Sequence, residues 1–507
     1  NYKTQLNGRL QYETTIAKNH HIGAMFVYSE EYWHTRSTGA SRNDRIHPST
    51  SEINAALTNV QSNSGSSASE GLRSYIGRLN YSAYDKYLLE FSFRLDGSSK
   101  FVKGHQYGFF PTVAVGWRFT EEEFLKKYLS SWLSSGKLRA SWGKLGDNSG
   151  VNRFEQLETL TAMNYMSSDV VKGFVNKKMI NKDLSWEVST DINVGLDLGF
   201  LDNRLRTEID FYNRLRTGMN RPSQMSIHLT GAYSAPRANI GDLLNRGLEL
   251  NLTWKDKIGN VEYSVNLNGA YNRTVLKEWN EFLSRGWIYL DMPYHFLYVY
   301  ENNGIAQTWE DIYNNTPQSL SPGDVIRKDL NGDGIIDGKD KKAYPNIQRD
   351  RPTTTYGITL QAAWKGFDIS MLFNGGLGRK DFWLTDFNQT KINDRRYAST
   401  WDHWTEPWSL ENRNGAWPRL GSDTDRSDNN FWLYNMNYLR MKNIMLGYNL
   451  PQKLLSKISM TNLRIYVSAE NLFTVTQYPG LDPEKKNSTR DLYPINRSFS
   501  IGLNVSF

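Results

Sequence analysis

Between Asp329 and Asp340 the chain reads DLNGDGIIDGKD. Oxygen ligands at loop positions 1, 3, 5, 7, 9 and 12 can wrap a calcium ion, with glycine at position 6 making the sharp turn. Those positions hold Asp329, Asn331, Asp333, Ile335 (through its carbonyl), Asp337 and Asp340, and Gly334 is the sixth residue. The spacing predicts a calcium loop. Asp replaces the usual Glu at the twelfth position, and no helix pair flanks the stretch. The competing reading is an Asp- and Gly-rich surface turn that holds no metal. An ion here would be structural rather than catalytic.

Residues 383–432 hold a second cluster, Trp383, Trp401, Trp404, Trp408, Trp417 and Trp432. Indole faces stack on sugar rings and on peptide side chains, which makes Trp383, Trp401, Trp404, Trp408 and Trp417 candidate substrate-binding residues. The alternative is that they pack loops against each other or anchor at a membrane interface. The eight histidines are scattered and form no HExxH or other close metal-ligand set. GxSxG, Walker and strand-linked GxGxxG motifs are absent, so no residue is assigned a catalytic role. With no cysteine, thiol catalysis, disulfides and Cys-zinc sites are excluded. The formal charge of +7 is spread without a long basic run, which argues against nucleic-acid binding.

The elements that must position these residues are strands. From Arg497 to Phe507 the chain reads RSFSIGLNVSF: Phe499, Ile501, Leu503, Val505 and Phe507 are apolar, and the residues between them are small or polar. Such alternation puts all the apolar side chains on one face. Ending on an uncovered strand would leave an edge open to aggregation, and a closed barrel removes that edge. Trp186, Val188, Ile192, Val194, Leu196, Leu198 and Phe200 repeat the pattern, as do Val261 to Leu267, Leu248 to Trp254, Tyr87 to Leu95 and Leu463 to Ala469. Runs of about 8–15 residues are long enough to cross a bilayer at a tilt. No apolar run approaches the roughly 20 residues a spanning helix requires. The aromatic content of 13% would supply interface girdles.

Short turns are predicted around Ala17-Lys18, Asp85-Lys86, Asp202-Asn203, Lys257–Asn260 and Lys365-Gly366, and long loops over about 37–69, 148–183, 220–245, 276–353 and 377–435. Short periplasmic turns and long extracellular loops are the habit of outer-membrane barrels. The expected fold is therefore all-β: a transmembrane antiparallel β-barrel wall of about fifteen strands with long extracellular loops. The first strand, Tyr2 to Thr15, and the last both run downward. An even antiparallel count then requires at least one strand before Asn1. Residues 121–133 have helical spacing behind a Thr120 cap, which predicts a short periplasmic helix. The parity slips near Lys442–Ile444, where a bulge is expected. The Ser-, Asn- and Ala-rich stretch 49–69 is read as a mobile loop.

Several stretches together resemble the SusC/RagA-type TonB-dependent outer-membrane transporters of Bacteroidetes-like bacteria. They include RSYIGRLNYSAYDKYLLEFSFRLDGSSKF (73–101), FFPTVAVGWRFTEEEFL (109–125), LRASWGKLGDN (138–148) and LSWEVSTDINVGLDLGFLDNRL (184–205). Further on come NIGDLLNRGLEL (239–250), PGDVIRKDLNGDGIIDGKD (322–340), YLRMKNIMLGYNLP (438–451) and NLRIYVSAENLFT (462–474). The resemblance implies a barrel of about 22 strands, the size of plugged outer-membrane transporters. It implies further an N-terminal plug, a SusD-like surface lipoprotein as lid, and assembly of two barrels with two lids. TonB would energise import of oligosaccharides or peptides. Residues 1–507 would then be the barrel domain, with the plug and first strands outside it. The competing functions are a secreted soluble glycan-binding protein or glycan-active enzyme, and a passive porin.

Overall fold

The computed structural model describes residues 1–45, 47–57, 61–129, 132–166, 170–176, 178–230, 235–281, 289–294, 296–315, 318–382, 406–421, 429–455, 460–485 and 494–506. Fifteen strands form one antiparallel sheet in which every strand pairs with its neighbour along the chain. They are β1 (Tyr2–Ile16), β2 (His20–Arg42), β3 (Gln61–Ala83), β4 (Tyr87–Ser98), β5 (Tyr107–Trp117), β6 (Leu133–Asp147), β7 (Glu187–Phe200) and β8 (Leu205–Thr217). The order continues with β9 (Asp242–Ile258), β10 (Val261–Glu278), β11 (Thr354–Trp364), β12 (Phe367–Leu377), β13 (Tyr438–Asn449), β14 (Asn462–Thr476) and β15 (Ser498–Ser506). Because fifteen is odd and every pairing is antiparallel, β1 and β15 run in the same direction. They are not paired with each other, so the sheet is an open arc of wall.

The register makes an apolar band on one face across the sheet. Leu10, Phe26, Gly77, Phe93 and Pro111 lie in one row across β1 to β5. Leu138, Leu196, Ile209, Leu250 and Gly269 form another across β6 to β10. Ile369, Leu446, Val467 and Ile501 form a third across β12 to β15. Leu10, Phe26, Leu138, Leu250, Leu446, Val467 and Ile501 among them are exposed, Ile501 at 84% and Val467 at 46%. A continuous exposed apolar band of this extent is what lipid covers. The opposite face is polar and ion-paired: Arg139 contacts Asp197 at 2.7 Å and Asp210 at 3.0 Å, and Arg464 pairs with Asp368.

The turns explain the hairpins. Residues in the left-handed region close them: Ala17 and Lys18, Tyr84 and Asp85, Leu201 to Asn203, Gly259, and Lys365 with Gly366. At Gly366 a Cβ would fall 2.8 Å from the Asn449 carbonyl, so glycine is required. The remaining connections on this side carry the helix α1 (Glu123–Leu129) and the short helical turn Gln452–Leu455. Helix α1 is shorter than expected. Thr120 does not cap it: its hydroxyl accepts from the Gly136 amide at 2.9 Å, inside a 3₁₀ turn. Lys442 is the extra residue of a bulge against β12, since Phe373 pairs with Met441 and the adjacent Leu372 with Asn443. The expected loop over 49–69 is narrower. Residues 61–69 belong to β3 and pair with 34–42 of β2, because small polar residues satisfy the backbone ladder without needing a core.

Candidate functional site at the extracellular mouth

At the end of the wall opposite the short turns, β12, β13 and β14 are crossed on the lumen face by the segment 478–485. Asn374, Tyr438, Arg440 and Thr474 alternate with the lipid-facing Phe373, Leu439, Met441 and Phe473 and so point inward. Arg440, 3% exposed, donates to Asp482 at 2.8 Å and to Thr474 at 2.8 Å, and pairs with Glu484. Glu484 also accepts from Asn374 at 2.8 Å, the Tyr438 hydroxyl at 2.9 Å and Lys442 at 3.2 Å. Burial pushes its carboxyl upward, but these donors and the two cations outweigh it and hold it below the usual glutamate range.

A second buried guanidinium fixes the same segment. Arg379, 2% exposed, donates to the carbonyls of Arg349 at 2.9 Å, Pro483 at 3.0 Å and Lys485 at 3.1 Å. Asp381 lies 3.7 Å away and is also bound by Arg349 at 2.9 Å. A buried charge is tolerable only when its donors are filled, and five planar donors suit carbonyls arriving from several directions. The strap is therefore built into the mouth by chemistry. Sequence reasoning missed it. The signal available was a run of turn formers, YPGLDPE, beside charged strand positions of lumen parity.

Above the strap the long connections form a cap. Trp432 is 2% exposed among Leu297, Val299 and Phe382, and stacks on Trp417 with ring centroids 5.9 Å apart. Trp408, 6% exposed, donates its indole N–H to Gln307 at 2.9 Å and packs where Gly323 lacks a Cβ. Trp408 and Trp417 are thus joined to the packing of the cap. Trp383, Trp401 and Trp404 lie outside the described residues. The short helix Trp309–Asn314 in this cap is held by a capping box between Thr308 and Asp311, and the helix presents Trp309 and Tyr313 outward. Lys342 beside Glu301 lowers that carboxyl's pKa, and its own is raised in turn.

The Asp329–Asp340 stretch lies in the connection between β10 and β11. Gly334 has φ 79°, the left-handed turn expected of the sixth position. Asp329 accepts from the amides of Gly332 at 2.7 Å and Gly334 at 2.9 Å. Asp340, fully buried, accepts from the amides of Leu330 at 2.9 Å and Asp337 at 2.8 Å. Asp333 takes the Ile335 amide at 3.0 Å, and Asp337 the Lys339 amide at 2.8 Å. Asn331 accepts from the Asp333 amide at 3.0 Å, and Ile335 is exposed. Among the described residues no three His, Asp or Glu side chains converge as metal ligands. The loop in this form is closed by its own backbone.

A sheet with one lipid-facing and one ion-paired face, crossed at its mouth by an anchored strap, defines the wall of a transmembrane barrel. Residues 1–320 match the family described as TonB dependent receptor-like, beta-barrel. The chain belongs to that family and is an outer-membrane protein. It is 30% identical to TonB-dependent receptor P3 of Formosa agariphila over an alignment of 476 residues that covers 86% of this chain and 45% of that protein. It is 30% identical to TonB-dependent receptor SusC of Bacteroides thetaiotaomicron over an alignment of 467 residues that covers 86% of this chain and 44% of that one. The structure of the RagAB peptide transporter superposes with a TM-score of 0.84 at 22% identity, covering all of this chain and 55% of that one. The chain spans under half the length of the curated relatives named.

Proposed function

We propose that these residues form the wall and mouth of a TonB-energised importer of oligosaccharides or peptides that works with a SusD-like surface lipoprotein. The carrying observation is the pair of faces: an apolar band suited to lipid and an ion-paired lumen suited to a wet path. A soluble glycan-binding protein or glycan-active enzyme would not carry such a band. Family membership favours active import over a passive porin, and a transporter over an enzyme. In this reading residues 1–507 act as barrel domain, and no residue among them is assigned to a plug or a TonB contact. Oligosaccharide and peptide remain the two substrate classes, with Trp383, Trp401 and Trp404 as candidate contacts. Two barrels with two lids is the proposed assembly.

The test is purification from native outer membrane in mild detergent, with mass spectrometry of proteins and small molecules. Recovery of a SusD-like lipoprotein in near-equal amount supports the importer, and a bound glycan or peptide selects the substrate class. Recovery of the barrel with neither contradicts it.

Calcium in the Asp329–Asp340 loop is a separate proposal. The ligand spacing and the left-handed Gly334 support it. Binding would need the carboxylates of Asp333 and Asp337, half exposed now, to turn inward. Calorimetry should detect calcium binding that Asp333→Ala removes; no heat from the wild-type protein rejects it.

A further inference from the structure

On the lipid face of β9 and β10, Arg246 and Arg273 are direct cross-strand partners. They share the parity of Leu248, Leu250 and Leu252 on one strand and of Tyr271, Leu267 and Val265 on the other. Directly opposed residues on one face have Cβ atoms roughly 5 Å apart, and like charges there repel. Two other charged sites on this face are matched: Arg73 meets Glu30 at 2.7 Å on β3 and β2, and Lys277 pairs with Asp291. The two arginines are not. Arg246 donates to the neutral Asn213 side chain at 2.7 Å. The Nε of Arg273 is buried with no acceptor among the described residues. Neither arginine makes an ion pair among those residues.

Position and shape say what is missing. Arg246 lies twelve residues above Ile258 and Arg273 twelve above Val261, both counted from the short-turn end. At the rise and tilt of a barrel strand that is roughly 30 Å, just past the apolar band of about 25 Å and at the extracellular headgroup level. A groove of about 440 Å³ opens there, with Arg246, Arg273 and the Lys277–Asp291 pair around its upper part and Phe211, Leu248 and Tyr271 below. The three lower side chains are about half exposed. Paired guanidinium groups recognise phosphate through several parallel hydrogen bonds. Apolar side chains beneath them suit acyl chains.

We propose that Arg246 and Arg273 hold the phosphate of a phosphorylated glycolipid in the outer leaflet, with its acyl chains along Phe211, Leu248 and Tyr271. The anion would relieve the repulsion built into the register and supply the acceptor that Arg273 lacks. The proposal rests on the membrane-wall reading given above.

The test uses the protein purified from outer membranes and moved into phosphatidylcholine nanodiscs doped with purified lipid A or with phosphatidylglycerol. Native mass spectrometry measures retained lipid for the wild type, for the double variant Arg246→Gln/Arg273→Gln, and for Arg206→Gln. Arg206 is an exposed lumen-face arginine on the adjacent strand β8, so its loss removes a charge from the other face. The expected result is lipid A retention that falls at least tenfold in the double variant and is unchanged in Arg206→Gln. Lipid A should also raise the melting temperature of the wild type but not that of the double variant. Equal retention in all three proteins, or equal loss in Arg206→Gln, overturns the site. Equal retention of phosphatidylglycerol and lipid A by the wild type overturns the glycolipid assignment. Heat-modifiable gel migration of each variant separates these outcomes from failure of the barrel itself.

Discussion

The wall and the mouth of this protein are built by different rules. In the wall each residue's surroundings follow from its parity. Val467 faces outward at 46% exposure beside Leu446 and Ile501, and Ser468 faces inward opposite Ser500 and Met445. Contacts there join neighbouring strands and the chemistry repeats. In the mouth Arg440 meets Asp482 and Glu484 across more than forty residues, and Arg379 meets Pro483 across more than one hundred. Nothing repeats, and the charges are buried rather than wet. The wall should therefore tolerate polar change on one face and resist it on the other, whereas the mouth should be sensitive at single residues.

The largest effect is expected in the mouth. Arg440→Met leaves Asp482 buried without its cation, which costs about 3–5 kcal/mol. Hydrogen exchange should show 478–485 opening while heat-modifiable migration persists; unchanged protection would mean that the strap is held by something else. Next comes the wall. Val467→Arg should cost about 2–4 kcal/mol in a refolding assay and Ser468→Arg little, since charge is penalised on the lipid face and accepted in the lumen. Equal costs would break the assignment of faces.

Acid should separate the two regions again. The pKa of Glu484 is lower folded than unfolded. Its stabilising contribution is thus complete above the ordinary glutamate range, about 4.3. It is lost as pH falls through the folded value. Protection of 478–485 should hold from neutral pH to the top of that range and decline below it, with the sheet unaffected; decline well above it would contradict the ion-pair account. The smallest effect belongs to the cap. Thr308→Ala removes the acceptor for the Asp311 amide and should cost about 0.5–2 kcal/mol, seen as faster exchange in Trp309–Asn314 alone.

The same division governs what could be read from the residues. Alternation is a local signal, so the strand count, the turns at Ala17-Lys18 and Lys365-Gly366 and the bulge near Lys442 were legible. The helix was legible in place but not in extent, because Thr120 found a tertiary partner in Gly136 instead of capping. Residues 61–69 look like loop by composition, yet they pair because β2 supplies a long template. The strap was not legible. Its residues carry no period, and what fixes them is buried charge contributed by distant strands. Trp408 and Trp417 show the same limit: residue type marks an aromatic cluster, but only the fold tells a platform from a packed core.

The most direct test of the account exploits the absence of cysteine. Single cysteines at Val467 and Ser468, adjacent on one strand, can be labelled in native outer membrane with a membrane-impermeant maleimide and with a lipid-soluble one. The account predicts that Ser468→Cys reacts with the water-soluble reagent and that Val467→Cys reacts with the lipid-soluble one alone. Equal reaction of both with the water-soluble reagent would contradict a lipid-facing wall, and with it the transporter built on that wall.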